Sequence, residues 1–582
     1  MTEPALIRTP RPVAPARPRL PDAGRPVSRE PWWRSAVIYE VYLRSFADGD
    51  GDGTGDLAGV RSRLPYLQAL GIDAIWFTPW YVSPLADGGY DVADYRAIDP
   101  TFGTLAEAET LITEARALGI RTIVDIVPNH VSDRHPWFQA ALAAGPGSPE
   151  RKRFWFRPGR GPDGDLPPTG WTSNFGGVPW SRTTNPDGTP GDWYLHLFAP
   201  EQPDLNWDHP DVRAEHEAIL RFWFDRGAGG VRIDSAALLV KDPALPEVPE
   251  TPTPGGHPNT DRDELHDIYR GWRAVADSYP GERVLVGEVW LADAERFANY
   301  LRPDELHTAF NFDFMVRPWE ATSLIASIDD TLAVHAPVGA PATWVLSNHD
   351  VTRPVTRYGR QDSSFAFPRK RAGIPTDLAL GRRRARAAAL QAAAQPGSLY
   401  IYQGDELGLD EVDVAADEIQ DPMHARSGGV DPGRDGCRVP LPWSGDGPPF
   451  GFSPEGATAA PWLSQPAHWS TLTAEAQLAD PGSMLRLYRA LLRIRREEPG
   501  LGDGPFAWLP SVAGVLAFAR GERFVNVTNL TDRPVPMPAH EVVLLASDEI
   551  SDGALPPDAT AWLRTAPRDP GDATRGVPPD ES

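Results

Sequence analysis

Gly230-Val231-Arg232-Ile233-Asp234 begins as an apolar run and ends in charge. A helical pattern precedes it at Arg213–Arg226 and another follows at Asp263–Ser278. The next apolar run, Val284–Val286, leads into Gly287-Glu288. Short runs rich in β-branched residues, alternating with amphipathic helices, are the signature of βα units. Outward from this unit the alternation recurs, with further strands expected at Val37–Leu43, Ala74–Thr78, Thr122–Val127, Thr308–Phe314, Trp344–Ser347 and Leu399–Tyr402. Leu105–Leu118 and Arg382–Ala394 are among the intervening helices. Eight strands alternating with helices predict an α/β fold, a closed (β/α)8 TIM barrel, whose active site sits at the C-terminal ends of the strands.

Two stretches are too long for simple connections. Residues 131–204, after the third strand, are dense in Trp, Gly and Pro and predict an inserted subdomain. Residues 409–478 form a second Gly/Pro-rich excursion after the eighth strand. The barrel is thus expected at 32–130 and 205–500, the latter ending in a helix near Met484–Arg496. Strand-like segments at Phe506–Leu509, Gly514–Ala519, Phe524–Thr528 and Glu541–Leu545 predict an antiparallel β-domain over 501–563. The Pro- and Arg-rich arm 1–31 and the tail 564–582 are too poor in large apolar residues to bury a core and are expected to be disordered.

A net charge of −24 over 582 residues argues against nucleic acid or an anionic membrane as partner, because phosphates would be repelled. It suits neutral small molecules. No apolar run approaches a membrane span of about 18 residues, and no secretory h-region precedes the barrel. The one cysteine, Cys437, forbids an intrachain disulfide and agrees with a reducing, cytoplasmic setting. It has no neighbouring base and reads as a packed small residue. His196, His209, His257 and His335 show no ligand spacing and read as structural or surface residues.

Chemistry-bearing residues follow the strand cores: Asp125…Asn129-His130 after the third, Arg232 and Asp234 on the fourth, Glu288 after the fifth, and Asn348-His349-Asp350 after the seventh. A lone carboxylate at such a place is commonly a solvated loop residue. Three at strand ends that converge on one barrel mouth, with Arg or His beside two of them, are the equipment of glycoside hydrolysis. One carboxylate attacks the anomeric carbon and another, kept protonated, donates to the leaving oxygen. Arg232 lies two residues from Asp234, on the same strand face, and is expected to keep it ionised. The largely apolar surroundings of Glu288 are expected to raise its pKa toward that of a general acid.

These segments resemble the conserved regions of the α-amylase superfamily of glycoside hydrolases, in its α-glucosidase and oligo-1,6-glucosidase branch. Gln202-Pro203-Asp204-Leu205-Asn206-Trp207 and Tyr402-Gln403-Gly404-Asp405-Glu406 resemble two further regions, and the likeness runs from about Trp33 to the C-terminal β-domain. The resemblance implies that Asp234 is the nucleophile, Glu288 the acid/base and Asp350 the third carboxylate. It implies that His130, Arg232 and His349 hold the glucose. Gly89-Tyr90-Asp91-Val92-Ala93-Asp94-Tyr95 resembles the loop whose Tyr stacks on the terminal glucose and whose Asp binds its outer hydroxyls. Gly433 to Pro440 resembles the stretch whose last arginine, Arg438, closes that pocket, although Leu441-Pro442-Trp443 departs from the usual Met-Gln-Trp. An exo-acting, retaining α-glucosidase on maltose and malto-oligosaccharides is the expectation, with transglucosylation as a side activity.

Asp48-Gly49-Asp50-Gly51-Asp52-Gly53-Thr54-Gly55-Asp56 spaces its oxygens as an EF-hand loop does, but has Gly59 where the bidentate Glu belongs. The loop resembles the metal loop of the same branch, which implies Asp48, Asp50, Asp52, Asp56 and the Thr54 carbonyl as ligands of a structural Ca2+ or Mg2+. In that branch the residue after the nucleophile tracks linkage: Val accompanies α-1,6 cleavage, small residues α-1,4. Ser235 therefore implies an α-1,4 preference. The alternatives are an oligo-1,6-glucosidase, a trehalose synthase or a sucrose-active transglycosylase on the same site. A non-catalytic, transporter-associated chain of this fold would carry a membrane helix and lack the carboxylates. Product analysis on maltose, isomaltose, sucrose and trehalose separates the enzymes. The oligomeric state is not legible.

Overall fold

The computed structural model describes residues 31–185, 187–367 and 373–567. Most of the arm and the tail expected to be disordered lies outside them; Arg564, placed in that tail, instead ends a strand.

Eight parallel strands form one sheet: β1 (Val37–Val41), β2 (Ala74–Phe77), β3 (Arg121–Ile126), β4 (Gly230–Ile233), β5 (Val284–Gly287), β6 (Thr308–Ala309), β7 (Thr343–Val345) and β8 (Ser398–Tyr402). Their order is β6-β5-β4-β3-β2-β1-β8-β7. The seam between β6 and β7 is bridged by Thr343, whose hydroxyl donates to the Ala309 carbonyl and accepts from the Asn311 N–H at 3.1 Å. Around the sheet run α1 (Leu57–Leu70), α2 (Leu105–Ala117), α3 (Pro210–Asp225), α4 (Leu265–Asp277), α5 (Ala294–Asn299), α6 (Ala321–Val338), α7 (Leu378–Ala393) and α8 (Met484–Glu497).

Side chains alternate across each strand. Ile38, Ala74, Trp76, Ile123, Val284, Val286, Val345 and Tyr400 pack together as the barrel interior. Their neighbours Val37, Tyr39, Ile75, Val124, Val231, Leu285, Leu399 and Ile401 face the helices in the larger core. That two-residue period carries Asp125 up from Ile123 and Glu288 up from Val286, so both enter the mouth from the inner face. Arg232 pairs in register with Asp125 on one side and Val286 on the other.

The expected strand Thr308–Phe314 stops at Ala309. The Asn311 side chain caps a helical turn, Phe312–Val316, by accepting from the Phe314 N–H at 3.0 Å. Between β3 and α3 the inserted residues form a three-stranded antiparallel sheet of Phe156–Arg157, Pro190–Leu195 and Trp180–Thr184. Trp155, Trp171, Trp180, Leu195, Leu197 and Leu245 make its core. His130 and Asp204 pair as an antiparallel bridge at its two ends, so the insertion leaves and rejoins the barrel at one point. After α8 comes a five-stranded antiparallel sheet with the order Phe506–Trp508, Val515–Arg520, Phe524–Asn529, Ala559–Arg564 and Val542–Ala546. It docks on α7, where the Trp562 indole donates to the Leu390 carbonyl at 3.1 Å. Among the described residues no helix is long and apolar enough to cross a membrane.

Candidate active site

One guanidinium organises the mouth of the barrel. Arg232 is buried and approaches three carboxylates: Asp125 at 3.0 Å, Asp234 at 2.6 Å and Glu288 at 2.7 Å. Asp234 and Glu288 bind different arms of it, Nη1 and Nη2, which keeps their carboxyl groups close together. Burying such a cluster is costly, and a buried charge left without its partner costs about 3–5 kcal/mol. Arg232 is therefore indispensable to the arrangement.

The charges are graded. Burial raises Asp234 to about 6, with Arg232 opposing. Arg232 favours the ionised form, the direction the sequence reading expects of it, but burial outweighs it. Burial also raises Glu288, to about 7; Arg232 opposes while Asp234 and Asp350 add to the shift. Burial would raise Asp350 too, but His349, Arg434, Arg438 and Arg232 outweigh it and hold Asp350 well below the usual carboxylate range. Of the three, Asp350 is the fixed anion, while Asp234 and Glu288 are the pair whose environments set them apart.

Asp350 is gripped by Arg438 at 2.8 Å and Arg434 at 3.2 Å. His349 presents Nε2 to it at 3.5 Å, and its Nδ1 bonds Glu40 at the end of β1. The Tyr90 ring stacks on the His349 ring, 5.3 Å between centroids and 10° between planes, and its hydroxyl donates to Asp125 at 3.1 Å. His130 bonds the Tyr90 carbonyl through Nε2 at 3.1 Å, and the Gln202 side chain reaches the same nitrogen at 3.1 Å. Asp234, Glu288, Asp350, Tyr90, His130, Arg232, His349 and Arg438 are thereby linked in one network of contacts.

Asp91, expected on the sugar's outer hydroxyls, faces elsewhere. It is fully buried, and its oxygens accept from the Ala86 and Asp87 N–H groups at 3.1 Å each, capping the turn. The carboxylate tied into the network is Asp87, bonded to Arg434 at 2.6 Å and to the Gln202 amide at 3.0 Å. Arg434 also binds Asp421 at 2.6 Å, so it joins Asp87, Asp350 and Asp421. Neither Asp87 nor Arg434 emerges from the sequence reading. The available signal was the place of Arg434 in the same segment as Arg438, and of Asp87 three residues before Tyr90. Ser235 adopts φ 46°, and its N–H donates to Glu288 at 2.8 Å.

In the loop after β1, Asp48, Asp50 and Asp56 each bring one oxygen within 4.8 Å of the others. Asp52 does not join them: its carboxylate accepts from the Thr54 N–H at 2.7 Å. The trio suits a hard cation with oxygen ligands, and of the four carboxylates expected from the sequence Asp52 stands outside it. Gly53, at φ 93°, is packed so tightly that a β-carbon would meet the Ala460 carbonyl at 2.1 Å, which pins the loop to the second excursion.

Four further histidines, those singled out in the sequence, have places in the scaffold. His196 bonds Ser181 and the Phe198 carbonyl, His209 caps α3, His257 accepts from Asn259, and His335 is buried in α6. Cys437 is buried, with its sulfur 3.2 Å from the His349 carbonyl.

A family model described as the catalytic domain of α-amylase matches residues 40–504. A probable α-glucosidase of Rhizobium meliloti is 34% identical over 527 residues, 86% of this chain and 90% of that protein. A trehalose-6-phosphate hydrolase of Escherichia coli is 34% identical over 550 residues, 88% of this chain and 93% of that protein. The crystal structure of an α-glucosyl transfer enzyme superposes with a TM-score of 0.80 at 33% identity, covering 92% of this chain and 100% of that one.

Proposed function

Because the chain belongs to the α-amylase family of glycoside hydrolases, we propose that it is an exo-acting, retaining α-glucosidase. It releases the non-reducing terminal glucose of short α-glucosides such as maltose, with α-1,4 linkages preferred. The observation that carries this reading is the Asp87–Arg434–Asp350–Arg438 network. Loops after β2 and β8 meet there beside Asp350, which favours a pocket for a single terminal unit over an open groove.

Asp234, ionised above about pH 6, attacks the anomeric carbon while Glu288, protonated below about pH 7, gives its proton to the departing glycosidic oxygen. The resulting glucosyl ester on Asp234 is cleaved by water, from which Glu288 now removes a proton. The shared hold of Arg232 on both carboxylates supports the close spacing, about 5–5.5 Å, that retention requires. Asp350, His349, His130 and Arg438 orient the sugar ring.

The likeness to an α-glucosyl transfer enzyme favours a second outcome of the same ester, capture by a sugar hydroxyl instead of water. Asp48, Asp50 and Asp56 would hold a structural Ca2+ or Mg2+ that ties the β1 loop together and supplies no chemistry to the reaction. The chain's single cysteine fits a reducing, cytoplasmic setting.

Chromatography of the first products from maltoheptaose and soluble starch tests the reading. Glucose should be the initial product and starch a poor substrate. Early appearance of mid-length oligosaccharides, with loss of starch viscosity, would rule out a closed pocket.

A further inference from the structure

Glu288 must carry its proton on the oxygen that faces the glycosidic bond, and afterwards use that same oxygen as a base. Its two oxygens are not equivalent. Oε2 accepts from the Ser235 N–H at 2.8 Å and lies 2.7 Å from Arg232 Nη2. Two donors aimed at one oxygen leave it no room for a proton. Oε1 is reached at 3.0 Å by the Trp290 indole N–H. Indole nitrogen donates and never accepts, so it cannot take the proton away. It occupies one acceptor direction of Oε1 and leaves the other for the O–H.

The indole is held in that pose from the side. Its ring stacks on Phe312, 3.8 Å between centroids and 8° between planes, and Phe367 meets it edge-on at 5.5 Å. Phe312 is itself fixed at the start of the turn that Asn311 caps. Trp290 thus stands on a built platform beside the acid.

We propose that Trp290 is a positioning residue for the acid/base: with Oε2 taken by Ser235 and Arg232, its N–H fills one acceptor direction of Oε1 and so aims the O–H of Glu288 along the other, at the leaving oxygen. This rests on Glu288 being the acid. The other charged groups around it are Asp125 on β3, Arg232 on β4, Asp234 directly after β4 and Asp350 after β7. None of these changes when the indole is replaced. An N–H donated to a carboxylate favours its charged form. Its removal therefore raises the pKa of Glu288, and the alkaline limb of kcat/KM moves to higher pH.

Trp290→Phe removes the N–H and keeps a ring to stack on Phe312. We compare it with Glu288→Gln on maltose and on a dinitrophenyl α-glucoside, whose departure needs little acid assistance. Expected for Trp290→Phe are a loss of about 10–100-fold in kcat/KM on maltose, as for a hydrogen bond to a charged group, and a much smaller loss on the aryl glucoside. The alkaline limb should rise, and the inhibition constant of glucose should stay within about twofold.

Equal losses on both substrates with an unmoved alkaline limb overturn the proposal and leave Trp290 a packing role. If Glu288→Gln itself shows no dependence on leaving group, the assignment of the acid fails instead. Should Trp290→Phe not fold, Phe312→Leu keeps the indole but removes the face it stacks on. The same leaving-group-dependent loss is then expected, and a uniform loss contradicts the proposal.

Discussion

Arg434 Nη2 lies 2.6 Å from Asp87 Oδ1, joining the loop after the second barrel strand to the loop after the eighth across 347 positions of chain. Both side chains are almost fully buried. Arg434 extends the contact to Asp350, so Asp87 is tied through one guanidinium to a carboxylate of the site.

That tie separates two neighbouring aspartates. Asp87→Asn should lower kcat/KM on maltose by roughly 10–100-fold, mostly through KM, since a charged hydrogen bond is worth about 1.5–3 kcal/mol. Asp91→Ala should chiefly lower the melting temperature, because its oxygens cap the turn at Ala86 and Asp87; a lost cap costs about 0.5–2 kcal/mol. Steady-state kinetics and thermal melts check the pair. The opposite pattern would return Asp91 to the substrate.

The pH dependence follows from two carboxyl groups of opposite duty. Asp234, raised to about 6 by burial, must be ionised, so activity should climb as pH rises through about 6. Glu288, raised to about 7, must be protonated, so activity should fall as pH rises through about 7. A narrow bell in kcat/KM centred between those values is expected. A plateau that extends well above pH 8 would contradict the role of Glu288.

Removal of divalent ions should lower the melting temperature, because a ligand held only by the folded chain stabilises it, by about 2.7 kcal/mol at one hundred times its Kd. Activity at low temperature should be unchanged. Asp50→Asn should abolish the response to chelator, while Asp52→Asn, outside the trio, should weaken it less. A melt indifferent to chelator, with no ion found in the purified protein, would remove the site.

Linkage preference turns on Ser235, whose backbone at φ 46° touches the acid through its N–H. We expect kcat/KM to be higher on maltose than on isomaltose, and Ser235→Val to move the ratio toward isomaltose. A methylene-sized difference is worth about 1–3 kcal/mol, so the change is a preference, at most about 200-fold. A β-branched residue is strained at positive φ whichever substrate is bound, so the ratio is the quantity to read. Isomaltose as the better substrate of the unmodified enzyme would end this account of Ser235.

The barrel is legible from sequence because each βα unit repeats one pattern and the charged residues sit at repeated places within it. Departures arise where a local hydrogen bond overrides the pattern. The apolar alternation of Thr308–Phe314 reads as strand, yet Asn311 turns it into a helix. Helix α3 starts at Pro210 instead of Arg213 because His209 caps it and proline is well placed in a first turn. Ala559–Arg564, an inner strand of the C-terminal sheet between Phe524–Asn529 and Val542–Ala546, carries too little apolar alternation to stand out. At the site, residues on strand ends were readable from strand parity. Asp87 and Arg434 were not, because their meeting depends on two irregular loops whose conformations no periodicity encodes.

The central claim is that Asp234 forms a covalent glucosyl ester. A fluorinated α-glucosyl fluoride that forms such an ester quickly and loses it slowly will trap it for mass spectrometry of the digested protein. The account predicts one glucosyl adduct per chain, on the peptide that contains Asp234, and none in Asp234→Asn. An adduct on another residue, or steady turnover with no adduct and the β-anomer of glucose released first, would contradict it.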